Sequence, residues 1–123
     1  MTKEFLYLLE CENYYKIGIS NNPKLRFTAI RTANPFEVIP VMCIFGYDKK
    51  IIRGIETKLH YKFKHIKHRN EWFIKSDEII SQIKSLIDNE KFFEYSDFVK
   101  DYYGIASSEL RRKDFMPKYL KLI

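Results

Sequence analysis

Acidic side chains are scarce in the first part of this 123-residue chain: residues 1–75 hold 7 of them against 14 basic ones. Residues 76–123 hold 9 acidic and 8 basic side chains, so the excess of positive charge lies wholly in the first part. That asymmetry points either to a polyanionic partner for residues 1–75 or to a solvated basic surface. Cysteine is nearly absent. Cys11 and Cys43 have neither CxxC spacing nor further cysteines to complete a zinc site, and both read as reduced core or edge residues. No charged start followed by an apolar run resembles a signal peptide, and no apolar stretch approaches the ~20 residues of a membrane span. The expected location is therefore intracellular, in the cytoplasm or nucleoid of a host. With four Gly, four Pro, 46% hydrophobic and 31% charged residues, the composition is neither disordered nor fibrous. One compact unit without internal repeats is expected.

What is present reads as alternating strands and helices. Phe5–Leu9 and Tyr14–Ile19 are apolar and aromatic runs separated by a polar stretch, as in a hairpin. Asn22 followed by Pro23 signals a helix start, with Leu25, Ala29 and Ile30 as its expected buried face. Residues 37–47 are rich in Val, Ile and Phe, and Pro40 predicts an edge position or a bulge in that strand. Asp48 opens a long helix whose apolar residues Ile52, Ile55, Leu59 and Phe63 recur at spacings of three and four. A basic loop over 64–70, a short strand at Glu71–Ile74 and a helix from Ser76 to about Ile87 follow. Phe92, Tyr95, Phe98 and Tyr102 then recur at helical spacing, as a core or oligomer contact. The fold class is α+β, a small, mostly antiparallel sheet flanked by helices with a helical C-terminal segment. The expected division is a domain over residues 1–90 and an aromatic-rich extension over 91–123.

Several of these strings resemble the paired signature of the GIY-YIG endonuclease superfamily. Phe5-Leu6-Tyr7 falls in the first strand and Tyr15-Lys16-Ile17-Gly18-Ile19-Ser20 in the second. Arg26 lies eight residues beyond Gly18, and Glu56 falls on the long helix. Glu56 with His60, followed by Glu71-Trp72-Phe73, is most similar to a divergent branch in phages and large DNA viruses. The likeness spans about residues 4–75. It departs from the pattern at Phe5-Leu6 in place of Gly-Ile and at Lys16 in place of tyrosine. Because adjacent strand residues face opposite ways, Lys16, not Tyr15, would face the site. Asn70 matches the family's late asparagine by position alone.

The resemblance implies an endonuclease that hydrolyses DNA phosphodiester bonds with Mg²⁺ or Mn²⁺; RNA is the alternative substrate, and a catalytically inactive DNA-binding or regulatory module the alternative function. Arg26 would grip phosphate oxygens with its planar fork, and Glu56 would hold the metal. Without the resemblance, Glu56 reads as a surface ion pair with Arg53 or His60. Tyr7 would accept or relay the proton of the attacking water, helped by a nearby cation such as Lys16; its bland reading is a half-buried strand tyrosine. His60, one turn beyond Glu56, is a candidate acid, base or phosphate contact. Lys58, Lys62, Lys64, Lys67 and Arg69, together with Arg31, form a candidate nucleic-acid-binding ridge, or else a solvated face. The aromatic C-terminal segment is a candidate homo-oligomer contact.

Overall fold

The computed structural model describes residues 3–87 and 91–104. Strands β1 (Glu4–Cys11) and β2 (Tyr14–Ser20) pair antiparallel, Cys11 opposite Tyr14 across a two-residue turn in which Glu12 takes φ 54°. Helix α1 (Pro23–Ala33) starts where the sequence signals it, with the Asn22 side chain accepting from Leu25 N at 3.2 Å. Strand β3 (Ile39–Gly46) runs antiparallel to β1 on its other side, and its register slips between Met42 and Pro40. The ring at Pro40 has no N–H to give to the ladder, and the bulge falls there. Asp48 caps helix α2 (Lys49–Lys62) through bonds from Lys50 N at 3.0 Å and Ile51 N at 3.3 Å. Strands β4 (Lys67–Arg69) and β5 (Trp72–Ile74), helix α3 (Asp77–Ile87), strand β6 (Phe93–Glu94) and helix α4 (Asp97–Gly104) complete the described chain.

The strand order is β4-β5-β2-β1-β3-β6, with every pair antiparallel, so β1 lies in the middle. Its residues alternate between two cores. Leu6 and Leu8 join Tyr15, Ile17, Ile44 and Phe73 beneath α2 and α3, through Ile52, Leu59, Phe63, Ile79 and Ile83. Phe5, Tyr7, Leu9 and Cys11 point the other way, to Val38, Cys43 and the α4 residues Phe98, Val99 and Tyr103, with Phe27 and Ile30 of α1 alongside. A strand covered on both faces has no polar side to show, which explains why residues 5–9 read as an unbroken apolar run. Both cysteines are free and buried.

Three expectations need correction. Leu25 is 67% exposed and Ala29 is exposed; α1 turns Pro23, Phe27 and Ile30 inward instead. Both sets have helical spacing, and the choice is made by α4, where Phe98 and Tyr102 each meet the Phe27 ring at 5.7 Å. The basic loop over 64–70 is a short 3-10 turn (Lys64–Ile66) followed by β4, ordered by main-chain pairing to β5 that side-chain patterning does not reveal. The aromatic stripe is not one helix. Phe92 immediately precedes β6, which pairs to β3, Tyr95 follows that strand, and only Phe98 and Tyr102 are helical. Phe92, Phe98 and Tyr103 are buried within the two cores, which uses them inside the fold. The rest of the expected helical extension, 105–123, lies outside the described residues.

Burial raises the pKa of Tyr7, Tyr15, Tyr102 and Tyr103 above the ordinary tyrosine value of about 10, Tyr103 to about 12. A raised folded-state pKa contributes stability that is complete below the unfolded value and is lost as pH rises through the folded one. Alkaline titration should therefore show these tyrosines ionising late and together with loss of circular dichroism, between pH 10.0 and about 12. Smooth ionisation near pH 10 with the dichroism intact would contradict their burial.

Candidate active site

The site is built from β2 outward. Tyr7 of β1 stands opposite Gly18 of β2, and its ring lies across the glycine: a Cβ there would overlap the hydroxyl and Cζ and sit 2.9 Å from Cε1. Glycine is thus needed for close approach, not for an unusual φ. Phe98 covers the ring from α4, with centroids 6.5 Å apart. Lys16, two residues before Gly18, faces the same way, while Tyr15 and Ile17 face the α2 core, as the alternation predicts. Lys16 is only 8% exposed. Its ammonium meets Glu71 Oε2 at 3.2 Å and lies 5.2 Å from the centre of the Trp72 ring, its register partner on β5.

Helices α1 and α2 pack on opposite faces of the sheet, and each carries a charged side chain whose field is felt at Tyr7. Strand β5 pairs with β2 only over Tyr14–Lys16, and after one further bond from Ile17 N to the Glu71 carbonyl the outer edge of β2 is open from the Ile17 carbonyl onward. There α2 comes alongside: His60 Nε2 donates to the Ile17 carbonyl at 3.0 Å, its ring edge-on to Phe73 at 4.9 Å. One turn earlier on α2, Glu56 is half-buried, within the electrostatic reach of His60, Glu71 and Lys16. Arg26 approaches from α1, flanking that helix's buried face, and its guanidinium interacts with the Tyr7 hydroxyl.

The charges act on one another. Burial pushes the Tyr7 hydroxyl above its usual pKa; Arg26 pulls it down, and the Glu71 and Glu56 carboxylates push it further up. Glu56 is also raised, first by burial and then by Glu71, against the lowering charges of His60, Lys16 and Arg53. Yet among the described residues Glu56 closes no ion pair. The cation beside the phenol is therefore Arg26, whereas Lys16, expected in that place, is tied to Glu71. Burial raises both thiols, Cys43 strongly, which keeps them protonated and unsuited to nucleophilic work.

Among the described residues no three His, Cys, Asp or Glu side chains converge as a metal cage. Glu56, a half-buried carboxylate that closes no ion pair among the described residues, fits a hard divalent cation that keeps most of its waters. Lys58, Lys62, Lys64, Lys67 and Arg69 are all exposed, running from the end of α2 onto β4; Tyr61, 70% exposed, carries the Lys64 ammonium 4.3 Å from its ring centre. Arg31 lies apart from that ridge, over the Tyr102 ring of α4 at 5.3 Å. Asn70 sits in the β4–β5 turn at φ 52°, beside the site's second carboxylate. The residue that sequence reasoning leaves without a role is Glu71. In the sequence it stands out only as the first letter of the Glu-Trp-Phe string, and its charge is tied to Lys16 only through the β2–β5 register.

Tyrosine, arginine, lysine and carboxylates drawn to one open strand edge, beside an exposed basic ridge, mark a nuclease-like domain. The chain belongs to the T5orf172 domain family, whose model matches residues 4–88, a family found in phage and related endonuclease-like proteins. No curated protein and no solved structure matches it. Among the described residues no helix is long and apolar enough to cross a membrane.

Gly18→Ala should displace the Tyr7 ring and destabilise the fold by about 1–3 kcal/mol, the usual range for overpacking. Thermal unfolding and the Tyr7 ring resonances measure both. A variant of parental stability with Tyr7 unmoved would overturn the close approach.

Proposed function

We propose that this chain is a GIY-YIG-type endonuclease that hydrolyses DNA phosphodiester bonds with Mg²⁺ or Mn²⁺. The observation that carries this reading is that Tyr7, its ring packed across Gly18, meets the Arg26 guanidinium at its hydroxyl inside the span matched by the T5orf172 family, with the half-buried Glu56 carboxylate near enough for its charge to be felt there. Hydrolysis forms a bond from water oxygen to phosphorus and breaks the bond to a sugar oxygen. The attacking water must lose a proton, the phosphate gains negative charge, and the leaving oxygen needs stabilising.

Tyr7 rests as a neutral phenol and relays the proton of the water. The Arg26 guanidinium beside it favours the phenolate and offers its remaining N–H groups to the phosphate oxygens. Glu56 would hold the divalent cation, whose charge would stabilise the departing oxygen. His60 has given Nε2 to the Ile17 carbonyl, so Nδ1 is its one nitrogen left for a proton or a phosphate. The exposed ridge over Lys58, Lys62, Lys64, Lys67 and Arg69 would run along the DNA backbone. The tie between Lys16 and Glu71, at a position where the superfamily has tyrosine, favours a second reading: a DNA-binding module that no longer cuts.

Arg26→Ala and Glu56→Ala should each lower the cleavage rate by about 10²–10³-fold with binding by gel shift largely kept, because both interactions matter more in the transition state than in the bound substrate. Duplex, branched and single-stranded DNA in Mg²⁺ and in Mn²⁺ make the test complete. Folded parent protein that binds DNA but cuts none of these forms would sink the enzyme reading in favour of the module.

Binding itself should weaken steeply with added salt. Charge reversal at Lys62, Lys64 and Lys67 should weaken it further and reduce the slope of log affinity against log salt by roughly one for each phosphate that is no longer neutralised. Binding indifferent to both would leave the ridge a solvated surface.

A further inference from the structure

Glu71 occupies the two-residue turn before β5 and is fixed to β2 at two consecutive positions. Its backbone carbonyl accepts from Ile17 N at 3.1 Å, and its carboxylate meets the Lys16 ammonium at 3.2 Å. Lys16 is almost wholly removed from water, and a lysine charge in that position needs a partner. Two carboxylates lie within its electrostatic reach, Glu71 and Glu56. The ammonium has gone to Glu71, while Glu56 closes no ion pair among the described residues. The Trp72 ring beside Lys16 offers its face but no negative charge, so Glu56 is the carboxylate left to an ammonium released from Glu71.

We propose that Glu71 is a positioning residue that anchors the Lys16 ammonium and so keeps it off Glu56, leaving that carboxylate open to a divalent cation. The second half of the proposal rests on the reading of Glu56 as the cation's ligand given under Proposed function; the anchoring itself does not. Glu71 then touches neither substrate nor metal. Its effect passes entirely through Lys16.

Three variants test this: Glu71→Gln, which keeps the shape and removes the charge, Lys16→Met, and the two combined. Mn²⁺ binding to the DNA-free protein, followed by titration calorimetry, should weaken on the order of tenfold in Glu71→Gln, the lower end for partners that orient a metal ligand. Lys16→Met alone should not weaken it, because the ammonium it removes is already held away from Glu56 and the only charge set free is the negative one of Glu71. In the Glu71→Gln background the same Lys16→Met change should restore parental affinity. That dependence on background separates positioning from a plain sum of charges, which would give Lys16→Met the same effect in both. Additive effects, or a double variant as weak as Glu71→Gln, overturn the proposal; the latter would make Glu71 itself a ligand. In cleavage, Glu71→Gln should raise the Mg²⁺ concentration required and keep the rate at saturation, a split that loss of fold would not produce. A crystal structure of Glu71→Gln reads the anchor without metal or activity. Lys16 Nζ within ion-pair distance of Glu56 supports the proposal, and an ammonium still in place or turned to solvent refutes it. Parent protein that binds no Mn²⁺ would remove the ligand reading of Glu56, and the crystal structure would still decide the anchoring.

Discussion

The position of Tyr7 depends on an atom that is not there. With no Cβ at Gly18, the phenol can lie across the neighbouring strand with its hydroxyl directly over the glycine. The interior is close-packed, so the ring cannot be shifted without moving what covers it. Phe98 closes over it and in turn abuts Phe27 of α1, the helix that delivers Arg26. One bare position thus sets the distance between a phenol on a central strand and a guanidinium on a surface helix.

The open edge of β2 is the second requirement. Had β5 continued its pairing past Lys16, the backbone ladder would separate α2 from Tyr7, and Glu56 would belong to the wrong face of the sheet. Instead the Ile17 carbonyl, left without a strand partner on that side, takes its bond from His60. A histidine that reads from sequence as a candidate acid or base is therefore also the link holding α2 to the strand.

Local signals were legible and long-range ones were not. The β1–β2 hairpin, the Asn22 cap, the Asp48 cap, the buried face of α2 and the break at Pro40 each follow from residues a few positions apart. The side of α1 that turns inward depends on rings of α4, more than 60 residues on, and two equally spaced apolar sets offer no local means of choosing. Strands β4 and β6 are held by main-chain bonds, for which Lys67-His68-Arg69 and Phe93-Glu94 carry no alternating pattern. In the candidate site, Tyr7, Lys16, Arg26 and Glu56 are legible because each stands in a recognisable string. The exchange of cations, Arg26 at the phenol and Lys16 at Glu71, is a matter of side-chain reach across the sheet, which strings do not encode.

Family membership covers residues 4–88, whereas burial continues beyond it, through Phe92 in one core and Phe98, Val99 and Tyr103 in the other. The unit of inheritance is thus shorter than the unit of packing. When such a domain is shuffled into a new gene by recombination, the inherited span brings the tyrosine but not the aromatic wedge that covers it. The segment just past the shared span is then a place where lineages with the same strand tyrosine can diverge in how firmly it is held.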